Sequence, residues 1–151
     1  RTGQMLRVAL PPVLPLPQVH RSAALYVGPR TQGPQAGSAV IGATDEDAGF
    51  DLSTSQHDLD RLRSLAAELV PALASTTLCP QLEAWAGLRP STADQLPVLG
   101  RLPGTDRQWI ASGHYRNGIL LAPATAAALA DALQSRTFPV DLTPFRPDRF
   151  A

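Results

Sequence analysis

Apolar residues recur at steps of three and four through Leu59, Leu62, Leu65, Ala66, Leu69 and Val70, up to Pro71, the spacing of one face of a helix. Thr54 or Ser55 is placed to cap its start, and the proline to stop it. Elsewhere the period shortens. Residues 4–10 alternate as a strand, and the proline-rich stretch 11–17 must leave the sheet, because proline donates nothing to a ladder. Residues 24–27 read as a second strand and 39–43 as a third, joined into a hairpin by a loop over 31–38 that holds glycines and Pro34. Residues 83–88 and 109–112 predict two more strands, with a polar turn region over 90–95 and a loop around Gly104, Thr105 and Asp106 between them. Residues 113–118 then lead into a helix over about 119–134, with Pro123 placed in its first turn. Residues 138–151 show no period. Fifteen prolines and eleven glycines cut the chain into short elements, so the expected class is α+β, an antiparallel or mixed sheet with flanking helices.

Composition narrows the function more than the fold. The 151 residues are 44% hydrophobic and 17% charged, enough apolar material for a core and too much for a disordered or fibrous chain. Thirteen basic residues cancel thirteen acidic ones, so no summed field draws the chain to nucleic acid or to an anionic membrane. Every basic residue is an arginine, which leaves the forked guanidinium as the group that would grip a carboxylate. The single cysteine, Cys79, excludes an intrachain disulfide framework and a multi-cysteine metal or iron–sulfur site, and points to a reducing, cytoplasmic compartment. The longest apolar run, 119–130, contains Pro123 and Thr125 and stops at Asp131, short of the ~20 residues of a membrane span. The apolar stretch 8–16 is broken by Pro11, Pro12 and Pro15 and makes a poor signal peptide.

Two places could carry chemistry. A strand that ends in a glycine-bounded turn and runs straight into a helix presents unpaired backbone N–H groups at the positive end of the helix dipole. Residues 113–118 have that form, with Arg116 and Asn117 as added donors. The ligand could be a phosphate, a carboxylate or the edge of a ring that turns anionic on reduction, or the turn could be purely structural. Arg89 stands at a strand end fixed by Pro90, suited to bidentate capture of a carboxylate; the alternative is a surface pair with Asp94 or Glu83. Tyr26 lies in an otherwise aliphatic strand, where its hydroxyl either enters a pocket or leaves a half-buried ring. His20, His57 and His114 have no metal-ligand spacing, and Asp45, Glu46 and Asp47 lack the rest of a calcium loop, so no metal is expected. No nucleophile elbow, dinucleotide-binding glycine turn or phosphate-binding loop occurs.

Three runs taken together carry a family resemblance: Trp-Ala-Gly-Leu-Arg-Pro from Trp85, Asp-Gln-Leu-Pro from Asp94 with Gly100 after it, and Gly-His-Tyr-Arg-Asn-Gly-Ile-Leu-Leu-Ala-Pro-Ala-Thr from Gly113. They resemble the C-terminal part of the glycine oxidases of the thiamine pathway, in the FAD-dependent amino-acid oxidase family. The likeness extends upstream to Gly3-Gln4-Met5-Leu6, Tyr26-Val27-Gly28-Pro29-Arg30 and Ile41-Gly42-Ala43-Thr44.

The resemblance implies that Arg89 grips the substrate carboxylate, that Tyr26 helps orient it, and that Arg116 is a second pocket arginine. It implies that Gly113, His114, Tyr115, Arg116, Asn117, Gly118 and Ile119 lie against the flavin, with Gly87 lining the same ring. Residues 1–100 would then be a substrate-binding cap portion and 101–151 the C-terminal strand–helix segment of an FAD-binding domain. The family's N-terminal dinucleotide-binding unit does not occur in these residues, so the expectation is a fragment that needs that missing half to hold FAD, noncovalently, and to turn over. The implied reaction oxidises the amine of glycine or a small D-amino acid, giving an imine that becomes keto acid and ammonia, with hydrogen peroxide as the second product. Alternatives are a non-catalytic remnant that binds a small carboxylate or pairs with itself as a homo-oligomer, and a quinone-linked D-amino-acid dehydrogenase.

Overall fold

Along strand β1 (Thr2–Ala9), Gln4, Leu6 and Val8 are buried while Met5, Arg7 and Ala9 are half-buried, the two-residue alternation of a strand with a helix on one face. The computed structural model describes residues 1–136 and 139–150 and divides into two compact units, Arg1–Leu88 and Arg89–Ala151. This is a division by compactness, distinct from the division of roles at 100/101 that the resemblance implies.

The first unit is built on a five-stranded antiparallel sheet. Strands β2 (His20–Arg21), β3 (Tyr26–Arg30), β4 (Ser38–Gly42), β1 and β5 (Gln81–Leu88) lie side by side in that order. The predicted hairpin is present as β3 and β4. Its first strand begins at Tyr26 and not at residue 24, because the Ser22 hydroxyl accepts the N–H groups of Ala24 and Leu25 at 3.2 Å each and holds them in a turn. Strand β2 has no sequence signal, since two residues are too few to show a period.

Helix α1 (Gln56–Leu69) packs on β1 and β4. Ser55 is the cap, its side chain accepting the Asp58 N–H at 3.1 Å. Leu59, Leu62 and Ala66 join Leu6, Val8, Val27, Ile41, Leu73 and Cys79 in one core cluster. Pro71 ends the helix and opens a 3₁₀ turn, Pro71–Ala74. Arg63 is also buried there, its Nη1 donating to the carbonyls of Leu73 at 3.0 Å and Cys79 at 2.9 Å, so the guanidinium ties the helix to the loop that returns to β5.

In the second unit, β6 (Val98–Arg101) and β7 (Trp109–Ser112) form an antiparallel hairpin. Strand β6 is absent from the sequence expectation: Pro97 before it and Gly100 within it read as a turn, and pairing with β7 makes it a strand. Helix α2 (Gly118–Leu133) follows. Pro123 lies in its second turn and not its first, which removes the N–H that would bond the Ile119 carbonyl. Of the unpatterned tail, Phe138 and Ala151 lie outside the described residues; the rest contains 3₁₀ turns at Thr143–Phe145 and Pro147–Phe150, both against β6. No helix among the described residues is long and apolar enough to cross a membrane.

Candidate functional site

Between β7 and α2 the backbone makes a turn that only glycine can begin. Gly113 is buried with φ +77°, and a Cβ there would stand 2.7 Å from the Thr92 methyl and 3.4 Å from the Val98 nitrogen, so both conformation and space exclude a side chain. Tyr115 also has a left-handed φ of +51°. Its N–H donates to the Pro90 carbonyl at 2.8 Å, the Asn117 N–H to the His114 carbonyl at 2.9 Å, and the Leu121 N–H to the Asn117 carbonyl at 2.8 Å, where the helix starts. His114 Nε2 is 2.9 Å from Thr125 Oγ1, which ties the turn to α2.

The N–H groups of Gly118, Ile119 and Leu120 thus have no acceptor one helical turn back. Arg116 is exposed beside them, with no ion pair among the described residues. Together they form a positive end suited to an anionic oxygen or to a ring edge that gains negative charge.

The first unit offers a different kind of surface. Cross-strand register places Tyr26, Gly42, Met5 and Trp85 in one row, and Gly3 opposite Gly87 two residues along, all on the sheet face turned away from Leu6, Val8 and α1. Tyr26 is half-buried, its hydroxyl directed at Met5 Sδ, 3.9 Å away. A Cβ at Gly42 would lie 3.0 Å from that hydroxyl and 2.9 Å from Met5 Cγ, so glycine lets the tyrosine ring lie across β4. At Gly87 a Cβ would meet only Met5 Cε, at 3.7 Å, which leaves open room over the backbone. Tyr26 and Gly87 share this face, three strand spacings across and two residues along, roughly 16 Å apart.

Arg89 is half-buried, between the last residue of β5 and the proline whose carbonyl receives Tyr115 N–H. The backbone therefore brings Arg89 next to the 113–118 turn. Of the carboxylates near it in the chain, Glu83 pairs with Arg7, at 2.9 Å, and Asp94 with Arg149, at 2.7 Å. The Arg149 guanidinium holds Asp94 well below the usual carboxylate range. Sequence reading missed this second pair, which joins residues 55 positions apart. The local half of the signal was present, because an aspartate two residues ahead of Leu96 is placed to accept its N–H in an Asx turn, here at 3.1 Å.

A family model described as FAD dependent oxidoreductase matches residues 1–132. The chain is 39% identical over 132 residues to a glycine oxidase of Pseudomonas aeruginosa, covering 87% of this chain and 34% of that protein. It is 41% identical over 153 residues to the bifunctional protein ThiO/ThiG of Trichormus variabilis, covering 99% of this chain and 22% of that one. The crystal structure of glycine oxidase from Geobacillus kaustophilus superposes with a TM-score of 0.81 at 33% identity, over 96% of this chain and 37% of the other. The chain thus spans about a third or less of the length of these relatives.

Proposed function

The chain belongs to the FAD dependent oxidoreductase family, and from that premise we propose that it supplies the carboxylate-holding sheet and the flavin-facing turn of an amine oxidase of glycine-oxidase type. The observation that carries this reading is the turn at 113–118. A buried glycine, a left-handed Tyr115 and a helix start with free N–H groups and Arg116 beside it make a place where negative charge is stabilised. Each unit by itself has a feature that suits a flavin: in the first, the open space over Gly87 would admit a flat group; in the second, the backbone donors of 113–119 suit the edge of a ring. Cys79 is buried in the core with α1, and the flavin in this reading is held noncovalently.

When bound, FAD supplies the two-electron acceptor for oxidation of a substrate amine. The work of this chain is position and charge. Arg89 binds the substrate carboxylate as a forked donor pair, and Tyr26, held over Gly42, orients it through its hydroxyl. Arg116 and the N–H groups at the start of α2 stabilise the charge that develops as the electrons leave the substrate. Glycine or a small D-amino acid is the substrate class: hydrolysis of the imine gives keto acid and ammonia, and oxygen, taking the two electrons and two protons removed from the amine, gives hydrogen peroxide. Residues 1–100 act as the substrate-binding part and 101–151 as part of the flavin-binding one. Oxygen is the electron acceptor in this reading, and a quinone in its dehydrogenase variant.

The test is to titrate FAD into the chain, and into the chain joined to the upstream two thirds of a glycine oxidase, while following flavin fluorescence. Quenching in the joined protein and bleaching of its flavin band by glycine without oxygen are the expected results; a joined protein that leaves free FAD fluorescence unchanged overturns the reading. A second reading, a carboxylate-binding or self-associating protein without catalysis, draws on the exposure of Ile119 at 96% and Leu120 at 78%, apolar surface of the kind that partners cover. Sedimentation equilibrium separates the two: a monomer that takes up FAD supports the oxidase, and a flavin-free dimer the alternative.

A further inference from the structure

Arg149 lies beyond residue 132, where the family match ends, yet it reaches back to the turn that supports the proposed flavin-facing segment. Its Nε and Nη2 meet the two Asp94 carboxylate oxygens at 2.7 and 3.1 Å, the side-on fork of a bidentate pair. The same Nη2 donates to the Leu96 carbonyl at 2.9 Å, and Nη1 to the Arg146 carbonyl at 3.1 Å. The guanidinium also stacks over the Phe150 ring, 4.2 Å from its centre. The side chain is mostly buried by these contacts, at 15% exposure.

Asp94 passes the constraint on. Besides Arg149, one of its oxygens accepts the Leu96 N–H at 3.1 Å and lies 2.9 Å from the Thr92 hydroxyl, which is itself 2.7 Å from the Leu96 carbonyl. Gln95, between them, has φ +60°, a strained value for a residue with a side chain, and its N–H donates to the Thr92 carbonyl at 3.2 Å. A turn with such a residue persists where its surroundings over-determine it. Gly113 rests directly on this turn: a Cβ on it would meet the Thr92 methyl at 2.7 Å, the Val98 nitrogen at 3.4 Å and the Leu96 carbonyl oxygen at 3.5 Å. Two residues on, Tyr115 is bonded to Pro90, at the other end of the same segment.

We propose that Arg149 is a positioning residue for the flavin-facing turn: by clamping Asp94 and the Leu96 carbonyl it holds residues 92–96 as the floor against which Gly113 and Tyr115 are set. The inference rests on the reading of 113–119 as flavin-facing. A tail merely anchored to the surface would leave that turn indifferent to its loss, whereas a clamp transmits the loss to Tyr115 and to the flavin. A lysine retains the charge and one bond but not the fork, so it restores part of the effect.

The test uses amide hydrogen exchange and flavin absorption on Arg149→Ala and Arg149→Lys, in this chain and in the FAD-loaded protein made with the upstream two thirds of a glycine oxidase. Arg149→Ala is expected to speed exchange at Tyr115 and Asn117 by tenfold or more while Ile41, in the first unit, exchanges as before. In the loaded protein it shifts the flavin band and raises the FAD dissociation constant at least fivefold, and Arg149→Lys recovers part of both. Unchanged exchange at Tyr115 in Arg149→Ala overturns the clamp, as does a flavin band that does not move although exchange has risen. A wild-type joined protein that binds no FAD overturns the flavin reading instead, whatever the exchange data show.

Discussion

Gln4, on β1 inside the five-stranded sheet, reaches the first turn of α1 and donates to the Asp58 carboxylate at 3.1 Å. Its amide oxygen meanwhile accepts the Ser55 N–H at 2.8 Å, and its nitrogen also lies 3.0 Å from Glu46. One buried amide, 3% exposed, therefore joins the strand, the helix cap and the loop after β4. Gln4→Ala removes three hydrogen bonds whose partners, Ser55, Asp58 and Glu46, are half-buried or exposed and can turn to water, and is expected to cost about 1–2 kcal/mol. The check is the urea midpoint of the first unit, read at unchanged slope.

Arg63 makes a comparable link in the core. Its Nη1 serves two carbonyls and its Nη2 is buried with no hydrogen-bond partner among the described residues. Arg63→Ala strands the Leu73 and Cys79 carbonyls, at an expected cost of about 2–4 kcal/mol. Burial pushes the Cys79 thiol up, so a thiol reagent should react with it only on opening. Its reaction rate under native conditions therefore rises in Arg63→Ala, and an unchanged rate would show that the loop holds without the guanidinium.

The Asp94–Arg149 pair sets an acid limit. Hydrogen bonding from Arg149, first among its causes, depresses the folded-state pKa of Asp94. Its contribution to stability is thus fully present above the unfolded value of about 3.9 and fades as pH falls toward the lower folded value. Carbon NMR of the Asp94 carboxyl should show it still ionised at about pH 3, below that unfolded value. Asp94→Asn should flatten the acid slope of unfolding in the second unit.

Gly113→Ala combines two penalties. A left-handed φ costs a side-chain-bearing residue about 1–2 kcal/mol, and the 2.7 Å approach to the Thr92 methyl adds an overpacking cost of about 1–3 kcal/mol. Adding Thr92→Ser removes the methyl and keeps the hydroxyl, so it should recover the second part and not the first. Thermal unfolding of the two variants gives both numbers.

For the proposed oxidase, Arg89→Ala removes a charge-assisted pair of about 1.5–3 kcal/mol, which raises KM for carboxylate-bearing substrates by roughly 10- to 150-fold. An amine lacking the carboxylate should be turned over equally well by both forms. If glycine turnover falls only a few per cent, Arg89 has a structural role.

How much was legible in the chain depended on how local the signal was. Helix α1 could be read because six apolar side chains, a cap and a stop all lie within 17 residues, 55–71. The turn at 113–118 could be read for a similar reason, since two glycines bracket it between a strand and a helix. Strand β6 could not, because Pro97 and Gly100 argue locally for a turn and only pairing with β7 says otherwise. Gln4 looked like one polar position in an alternating strand, and its burial against α1 depends on where the helix start is placed.

By itself, then, the sequence determined the α+β class, the main elements and, through its motifs, the family, since propensity, periodicity and glycine requirements act over a few residues. Tertiary structure decided which polar groups meet: Gln4 with Asp58, Arg63 with the Leu73 and Cys79 carbonyls, Arg149 with Asp94. Those bonds join residues between 10 and 55 positions apart. A buried donor takes whatever acceptor folding brings to it, and a residue's neighbours in the chain do not encode that choice.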